Sequence, residues 1–543
     1  MPSVRFVLAP ARRRLLRSLT VGSAVAAAVL APGAVAQADE PSGSTVVGRL
    51  VQAWPDSVDG AHTDPISWVQ NAEGDAVRIP TEDVEGIPTG TTLQVTVDSE
   101  DDGAADPLHE VTATRVVAAA PAEPVLRDPA GFTNQVTVVR VAPDGVAPDA
   151  VTAQKLVDVV DGPVADFWAE QSNGAIALGV TATRDWVSPA AGCADPTAMW
   201  NEVATTVGFV PGPGKHLLLY VSSAATTCSY ALAEVGSSPA TGGRMYVRDT
   251  VSSVIAHELG HNFGLGHSSA RQCDAAVESD TCRTAPYRDY YDVMGVSWAQ
   301  LGSLNVAQAA RLGVLPAAQQ QALPVTGAAA TVTLAPLSGS EGTRALRLTD
   351  AEGVDYWLEY RTPTGRDAWL GTAANRYRLQ TGVLLRRAES LPDTSVLLDG
   401  TPGTAASWDG DLQSALSVGA PVSVSGGDFT VVVQSVTAAG AVLTVTPTPS
   451  AAPATPAPRQ AATVPGSVLP ASAEGIPAKA GDSAGFVTPQ YDTRQALHAT
   501  PALESAAEST TGSGLLAPLA GAVLAASALF VVRTMRRSRA RRA

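Results

Sequence analysis

The chain has 543 residues, with 52 acidic against 36 basic side chains and a formal net charge of −16 at pH 7. That length is enough for two or three domains with substantial hydrophobic cores. The negative charge disfavours nucleic acid and anionic membrane surfaces as partners, because both carry charge of the same sign.

The first 38 residues have the layout of an export signal. Several arginines are followed by an apolar stretch over 19–30 and by small residues at Ala34, Ala36 and Ala38. We therefore expect residues 1–38 to be a signal peptide that is removed during export. The leading arginines also resemble a twin-arginine signal, so that route stays open beside the general secretory route, which we favour.

Residues 39–128 are predicted to form a small β-domain, either a propeptide or a permanent accessory domain. The run Thr92–Val97 alternates polar and apolar side chains, which is the period of a half-buried strand. A proline-containing linker is predicted at the end of this region, over 121–129.

Residues 129–315 have the alternating strand and helix signals of an α/β domain. His216 opens an apolar strand beside Lys215, and we expect it to have a structural role there rather than to bind a metal. The predicted elements are strands at 135–141, 175–180 and 216–221, an amphipathic helix at 151–171, and a second helix that begins near Thr250 or Ser252, either of which is a good N-cap.

The second helix carries a dense group of metal-binding side chains, HELGHNFGLGH over 257–267. His257 and His261 are four residues apart, so both imidazoles lie on one helical face. A glycine-assisted turn after the helix can bring His267 to the same ion. Three neutral imidazoles leave one tetrahedral position open for water, as in catalytic zinc sites. Glu258 stands beside that position as the general base.

The pattern HExxHxxGxxH, followed by a methionine in a turn, is the metzincin signature. Met294 lies in the run YDVMG, 27 residues after His267. On these motifs, the segment from about 135 to 315 resembles a metzincin metallopeptidase domain and is most similar to the gametolysin-like and reprolysin-like branches. Val296 stands where astacins and serralysins have a tyrosine, so a fifth ligand is not expected. Ser268 stands where many reprolysins have aspartate.

The resemblance implies a function for each residue of the motif. It implies one catalytic zinc ion bound by His257, His261 and His267, a catalytic Glu258, and Met294 as a hydrophobic floor under the metal. It also implies protein or peptide substrates. The segment 39–128 contains no cysteine, so a thiolate cannot be its means of blocking the zinc.

Four cysteines lie in this region, and an even number in an exported chain predicts disulfides. Four cysteines allow three pairings, of which Cys193 with Cys228 and Cys273 with Cys282 is the simplest. A structural zinc site is the alternative, but no CxxC spacing is present.

Residues 316–447 return to short strands separated by glycine, proline and aspartate, which predicts a β-sandwich-like domain. The acidic turn Asp409–Asp411 could hold calcium, although solvated loops of this composition are common. The fold class expected for the whole chain is therefore an α/β metzincin catalytic domain flanked by N- and C-terminal β-domains.

The C-terminal part is different in composition. Residues 448–513 are rich in Pro, Ala, Ser and Thr and are predicted to be a disordered stalk. Residues 514–533 are predicted to be a transmembrane helix, because the uncharged apolar run 515–532 within them is just long enough to span a bilayer. The arginine-rich tail 534–543 places the C-terminus in the cytoplasm. A wall-sorting signal has a similar layout, so wall attachment or shedding is the alternative to a single-pass anchor.

Together these features predict a monomeric zinc-dependent endopeptidase at the cell surface. The alternative is a surface adhesin whose metzincin fold is catalytically inactive. Glu258 separates the two hypotheses, because an inactive relative need not keep the general base. The sequence does not define the substrate.

Overall fold

The computed structural model describes residues 43–58, 63–98, 103–122 and 131–448. The predicted signal peptide, transmembrane helix and basic tail lie wholly outside these ranges, as does the predicted stalk after its first residue. In the part of the chain that is described, no helix is long and apolar enough to cross a membrane.

Three groups of elements follow one another along the chain. The N-terminal group consists of β1 (Gly43–Asp56), β2 (Ile66–Gln70), β3 (Ala76–Ile79), β4 (Thr92–Asp98) and β5 (Val111–Ala118). The central group consists of β6 (Asn134–Val141), α1 (Ala153–Val159), α2 (Ala165–Gln171), β7 (Leu178–Val187), α3 (Pro196–Val207), β8 (Lys215–Val221), β9 (Ala231–Glu234), β10 (Gly243–Val247), α4 (Ser252–Asn262), β11 (Ser268–Cys273), β12 (Cys282–Ala285) and α5 (Val306–Arg311). The C-terminal group consists of β13 (Gln320–Pro324), β14 (Ala330–Leu334), β15 (Ala345–Thr349), β16 (Asp355–Arg361), β17 (Gly382–Ala388), β18 (Ser395–Leu398), β19 (Pro421–Val424), β20 (Phe429–Thr437) and β21 (Gly440–Pro447).

The first two groups share one mixed sheet. Its strand order is β3-β2-β1-β9-β10-β8-β6-β7, and β4 pairs with β1 and β5. The strands β10, β8, β6 and β7 pair in parallel, whereas β9 is antiparallel to both β10 and β1. The buried run Leu217–Val221 in β8 is apolar throughout, because parallel strands are covered on both faces. The predicted mixed α/β fold is confirmed.

The predicted helix over 151–171 is present but interrupted. A π-helical segment, Val160–Val164, separates α1 from α2 at Gly162 and Pro163. Proline has no N–H to donate and its ring crowds the preceding turn, so the regular helix is broken there. The helix after the break packs through Trp168 against Phe263 at the end of α4, with ring centroids 4.9 Å apart.

The predicted strand over 175–180 begins later than expected, at Leu178. The preceding residues form a turn in which the backbone N–H of Ile176 donates to the Ser172 hydroxyl and Gly174 has a φ of +78°. These contacts satisfy the backbone locally, so strand pairing starts only beyond them.

The C-terminal group, together with β11 and β12 of the central group, forms two sheets that share a core. One has the order β12-β11-β18-β17-β16-β15-β13 and the other β14-β21-β20-β19. Leu358 and Leu385 of the first sheet share a core with Phe429 and Leu443 of the second. Full burial of each such side chain contributes roughly 1.5–3 kcal/mol.

Both predicted inter-domain boundaries are crossed by sheet pairing. β1 of the N-terminal group pairs with β9 of the central group, and β11 of the central group pairs in parallel with β18 of the C-terminal group. Each crossing is next to the HExxH helix or the turn after it. The two flanking regions therefore both contribute to the surroundings of the predicted metal site.

Candidate metal centre

Helix α4 carries His257, Glu258 and His261 and is buried from Ser253 to its last residue. The two histidines are one helical turn apart and so lie on the same face. The helix begins where the sequence predicts, but the predicted hydroxyl cap is wrong. The N-cap residue is Val251, whose side chain accepts no hydrogen bond. Packing of the helix against β9 and β10 holds it instead.

Backbone carbonyls set which ring nitrogen of each helical histidine faces the cluster. The Nδ1 atom of His257 lies 2.7 Å from the carbonyl oxygen of Val293, and that of His261 lies 2.8 Å from the carbonyl oxygen of Leu265. Because a carbonyl can only accept, each Nδ1 carries the proton and each Nε2 presents a lone pair. The two Nε2 atoms are 3.1 Å apart, where two lone pairs repel unless a cation lies between them. Burial lowers the pKa of His257 to about 3, so this ring is neutral.

The chain reverses after α4 and brings in the third histidine. Gly264 has a φ of +97°, a conformation that a side chain would disfavour. The backbone N–H of His267 donates to the carbonyl of Pro392 at 2.8 Å, and that of Gly266 donates to the Thr394 hydroxyl at 2.9 Å. The C-terminal group therefore fixes the backbone from which His267 points. Burial lowers the pKa of His267, and its Nε2 has no hydrogen-bond partner among the described residues.

A fourth side chain, Asp56, closes the cluster. It is the last residue of β1 and is fully buried. Its Oδ2 lies 3.4 Å from His257 Nε2 and 3.8 Å from His261 Nε2, and its Oδ1 lies 3.4 Å from His267 Nε2. The Tyr287 hydroxyl donates to Oδ1 at 2.7 Å.

These four side chains fit a tetrahedral zinc ion. Zinc–ligand bonds of about 2.0–2.1 Å place neighbouring ligand atoms ~3.3–3.4 Å apart. The separations given above run from 3.1 to 3.8 Å, and all four candidate ligand atoms lie within 4.8 Å of one another. Imidazole nitrogens and a carboxylate are donors that zinc prefers. A cation would also compensate the buried Oδ2 of Asp56, which has no hydrogen-bond partner among the described residues.

Glu258 lies beside this cluster, fully buried, on the next helical position after His257. Neither of its carboxylate oxygens has a hydrogen-bond partner within the described ranges. Burial, together with the charge of Asp56, raises the pKa of Glu258 well above its ordinary value. A buried carboxyl group with a raised pKa is suited to take up and release a proton.

Met294 packs against helix α4 at Gly260. A Cβ added at Gly260 would be 2.4 Å from Met294 Sδ, so this helical position must be glycine for the methionine to pack there. The turn is tied to the third histidine, because the N–H of Ser268 donates to the Met294 carbonyl at 2.8 Å. The carboxylate of Asp292 accepts from the Met294 N–H at 2.9 Å and fixes the turn from the other side.

Ser268, the residue that departs from the reprolysin pattern, takes part in a buried polar network. Its hydroxyl donates to Asp289 Oδ2 at 2.7 Å, and Arg386 of β17 pairs with the same carboxylate. Arg386 also lies 3.0 Å from the carboxylate of Glu359 on β16. Asp289, in the turn before Met294, therefore accepts from the Ser268 hydroxyl and forms an ion pair with Arg386 of the C-terminal group.

The expectation of disulfides is confirmed. Cys193 pairs with Cys228, and Cys273 pairs with Cys282. The second bond joins the ends of β11 and β12, just after the third histidine. His216, which we expected to be structural, is buried in β8 with its ring nitrogens 2.9 Å from the side-chain oxygens of Asn134 and Asn262.

Asp56 was missed by the sequence analysis. No local motif marks it, because a polar residue after an apolar strand is ordinarily the start of a surface turn. The one available signal was indirect: the N-terminal region has no cysteine, so any metal contact from it would need a carboxylate or an imidazole. That signal does not select one residue.

Comparison with known families agrees with the geometry. Residues 169–289 match the model of the Metallo-peptidase family M12B Reprolysin-like. The matched segment contains the three histidines and Glu258 and ends before Met294. No curated protein was found to match the chain. The family match and the buried cluster of three histidines and an aspartate support a metzincin-like zinc metallopeptidase domain in this protein.

Proposed function

We propose that the chain is a zinc-dependent endopeptidase that hydrolyses protein substrates outside the cell. The observation that carries the proposal is the convergence of three buried imidazoles, with Glu258 beside them, in a segment that matches a metallopeptidase family. We assign His257, His261 and His267 as the zinc ligands and Glu258 as the general base. The resemblance to the gametolysin-like and reprolysin-like branches is part of this proposal.

A bound zinc ion supplies Lewis acidity at the scissile carbonyl and makes an attacking water more acidic. Glu258 takes the proton from that water as the new C–O bond forms. The same carboxyl then gives the proton to the leaving amine as the C–N bond breaks. Glu258 must hold the proton between these two steps.

The chain's own scaffold orients these groups. The carbonyls of Val293 and Leu265 keep two imidazoles in the tautomer that binds a metal, as second-shell carbonyls commonly do. Burial excludes water around Glu258, which strengthens every electrostatic contact in the site. Met294 packs directly against Gly260 of the histidine helix and limits the movement of that helix.

Export and anchoring are proposed from the sequence alone. The arginine-rich start with its apolar stretch supports a signal peptide, and the apolar run 515–532 before the arginine-rich tail supports a single-pass anchor. The acidic composition suits an exposed protein. We propose that the catalytic domain is displayed at the cell surface.

The test uses the full chain with Asp56→Lys. Repulsion between a lysine ammonium and a zinc ion held by the three histidines should drive the end of β1 out of the cluster. The fourth position is then open and the three histidines are unchanged. This variant should bind one zinc per chain by elemental analysis and hydrolyse members of a quenched-fluorescent peptide library. 1,10-Phenanthroline should abolish the hydrolysis and added zinc should restore it.

The matched control is His257→Ala in the same background. It should lose most of the zinc together with the activity. A zinc-loaded Asp56→Lys chain that hydrolyses no peptide would overturn the proposal in favour of the inactive adhesin. Unchanged zinc content in the His257→Ala chain would show that the ligands are assigned wrongly.

A further inference from the structure

We infer that the end of β1 is a built-in inhibitor of the metal site: Asp56 holds the fourth position around the metal, and the segment Ala53–Asp56 fills the groove in which an extended peptide would lie. The inference concerns the regulation of the proposed peptidase and therefore rests on the function proposed above.

The Asp56 carboxylate lies where a fourth metal ligand would be. Its oxygens reach all three Nε2 atoms at 3.4 to 3.8 Å, so a metal bound by the histidines would have Asp56 as its fourth ligand. Zinc sites with four protein ligands are characteristically structural, whereas catalytic sites keep one position for water or substrate. With Asp56 in place the site is closed, although Glu258, which serves only catalysis, is present beside it.

The end of β1 pairs with β9 of the central group. Residues Ala53–Asp56 run antiparallel to Ala231–Glu234 of β9. Beyond the ladder itself, the Tyr230 N–H donates to the Asp56 carbonyl and the Val235 N–H donates to the Gln52 carbonyl. Without β1, β9 would be an exposed edge beside the histidine helix, and edges of this kind accept extended peptides as added strands. β1 therefore uses the backbone groups that a substrate would need.

Residues at and after the end of β1 cover the histidine cluster. The Trp54 ring lies 6.4 Å from the His261 ring, and it meets the His267 ring edge-on at 5.7 Å. The carbonyl of Val58, just after the strand, accepts a hydrogen bond from the Trp298 indole N–H at 3.1 Å. Side chains of β1 and contacts of the residues after it thus cover the histidines on the side away from α4.

The segment Ala53–Asp56 can separate from β9 without unfolding the other strands of the N-terminal group. The part of β1 before Ala53 pairs with β2 and β4, and those strands have a hydrophobic core of their own that includes Leu50, Leu93 and Val95. Only the last four residues pair with β9. Withdrawal of this end would open the site. It would take Ala53 out of the core shared with the central group, but Val51 and Trp68 would keep the N-terminal group packed in that core.

A thiolate cannot have this role in the present chain. No cysteine precedes Cys193, and all four cysteines are in disulfides. A carboxylate is the available anionic side chain that can both bind zinc and leave it when the strand moves. Asp56 therefore takes the place that a thiolate could fill elsewhere.

The test compares zinc-loaded full chains: wild type, Asp56→Asn, Asp56→Lys and the control Asp83→Lys, which changes an exposed carboxylate of the same N-terminal group. Acetohydroxamate, a small bidentate zinc ligand, serves as the probe in titration calorimetry. X-ray absorption at the zinc edge reports the protein ligands. Wild type and Asp83→Lys should show three imidazoles and one carboxylate and bind the probe weakly. Asp56→Asn and Asp56→Lys should lose the carboxylate signal and bind the probe at least about tenfold more tightly.

The outcomes separate this inference from the proposed function. Equal probe affinity in wild type and both Asp56 variants would overturn the inference, even if all chains hydrolyse peptides. Tight probe binding that appears only in the Asp56 variants, without peptide hydrolysis, would support the inhibitor and overturn the peptidase. If Asp56→Lys does not fold, the near-isosteric Asp56→Asn decides the question by the same two measurements.

Discussion

At the scale of single residues, Gly260 has an unusual requirement for a helical glycine. Alanine in a helix interior is ordinarily favoured over glycine by about 1 kcal/mol. Here a Cβ would lie 2.4 Å from Met294 Sδ, so the methionine or the helix must move. We expect Gly260→Ala to destabilise the fold by roughly 1–3 kcal/mol, as overpacking does, and to weaken zinc binding.

Thermal unfolding with and without zinc measures both effects. In a double variant, Met294→Ala should remove the clash, so that the two changes together cost less than the sum of each alone. Additive costs, or a Gly260→Ala chain as stable as wild type, would show that the methionine does not pack against the helix as described.

The residues of the site differ in how far they could be predicted. His257, Glu258 and His261 lie on one turn of a helix, so their grouping follows from sequence spacing alone. His267 follows from the short turn after them. Asp56 reaches the same point through a strand of another region, and no local periodicity encodes which strand pairs with β9. The pairing of Ser268 with Asp289 and Arg386 depends on tertiary contacts for the same reason.

At the scale of elements, the turn that precedes β18 holds the third histidine in place. The Thr394 hydroxyl accepts from the Gly266 N–H and donates to Gln308 Oε1, each at 2.9 Å. Thr394→Val keeps the shape of the side chain but leaves both groups buried and unpaired. We expect a loss of stability of roughly 1–3 kcal/mol for each unpaired group, together with weaker zinc binding.

Competition with a chelator gives the zinc affinity, and thermal unfolding gives the stability. The control Thr404→Val changes an exposed threonine of the same C-terminal group and should leave both unchanged. If Thr394→Val bound zinc as tightly as this control, the C-terminal group would have no part in positioning His267.

Strand β8 should give the fold an acid-sensitive point at His216. Burial lowers the pKa of this imidazole to about 4, against an unfolded value near 6.5. The unfolded chain therefore takes up a proton that the folded chain excludes over that interval. The stabilising contribution is present above pH 6.5 and is lost as the pH falls towards 4, by about 3 kcal/mol at most.

The comparison variant is His216→Gln, which cannot titrate. At pH 7 we expect wild type to unfold at the higher temperature, and the difference in Tm should shrink steadily between pH 6.5 and 4.5. A difference that stays constant over this range would mean that His216 is protonated equally in both states.

Element boundaries could be predicted where one local rule decides them. β8 begins one residue before its predicted start, because an unbroken apolar run marks a buried parallel strand. The break at Gly162 and Pro163 was present in the sequence, yet the apolar periodicity on both sides favoured one continuous helix. β7 starts late because the Ser172 and Thr133 hydroxyls accept hydrogen bonds from the backbone N–H groups of the two residues before it. A pattern of hydrophobicity does not predict such contacts.

At the scale of the whole molecule, the flanking regions are joined to the peptidase by shared sheets. β1 enters one side of the site and the turn before β18 supports the other. Sequence composition predicts the succession of β-rich and α/β regions, because each has its own periodicity. It does not predict which edge strands meet, since that depends on complementarity between distant segments. The pairing of β1 with β9 places the inhibitory segment at the metal site, and the pairing of β11 with β18 supports the site from the other side.

The predicted anchor can be tested with a tag placed after Ala543. Residues 515–532 contain no charge, and each Leu, Val or Phe among them favours insertion by roughly 0.3–0.6 kcal/mol. We expect the full-length chain to keep the tag and to sediment with membranes, and a chain that ends near Ser513 to be released into the medium. Loss of the tag, with release only by wall-digesting enzymes, would instead support covalent attachment to the wall.

The central claim is that Glu258 moves the proton in a zinc-dependent peptide hydrolysis. Its most direct test compares Asp56→Lys with Asp56→Lys plus Glu258→Gln, both confirmed to hold one zinc per chain, on the same fluorogenic peptide. Glutamine keeps the shape of the side chain but cannot accept the proton, so kcat/KM should fall by a factor of about 10² or more. Equal kcat/KM values at equal zinc content would contradict the account.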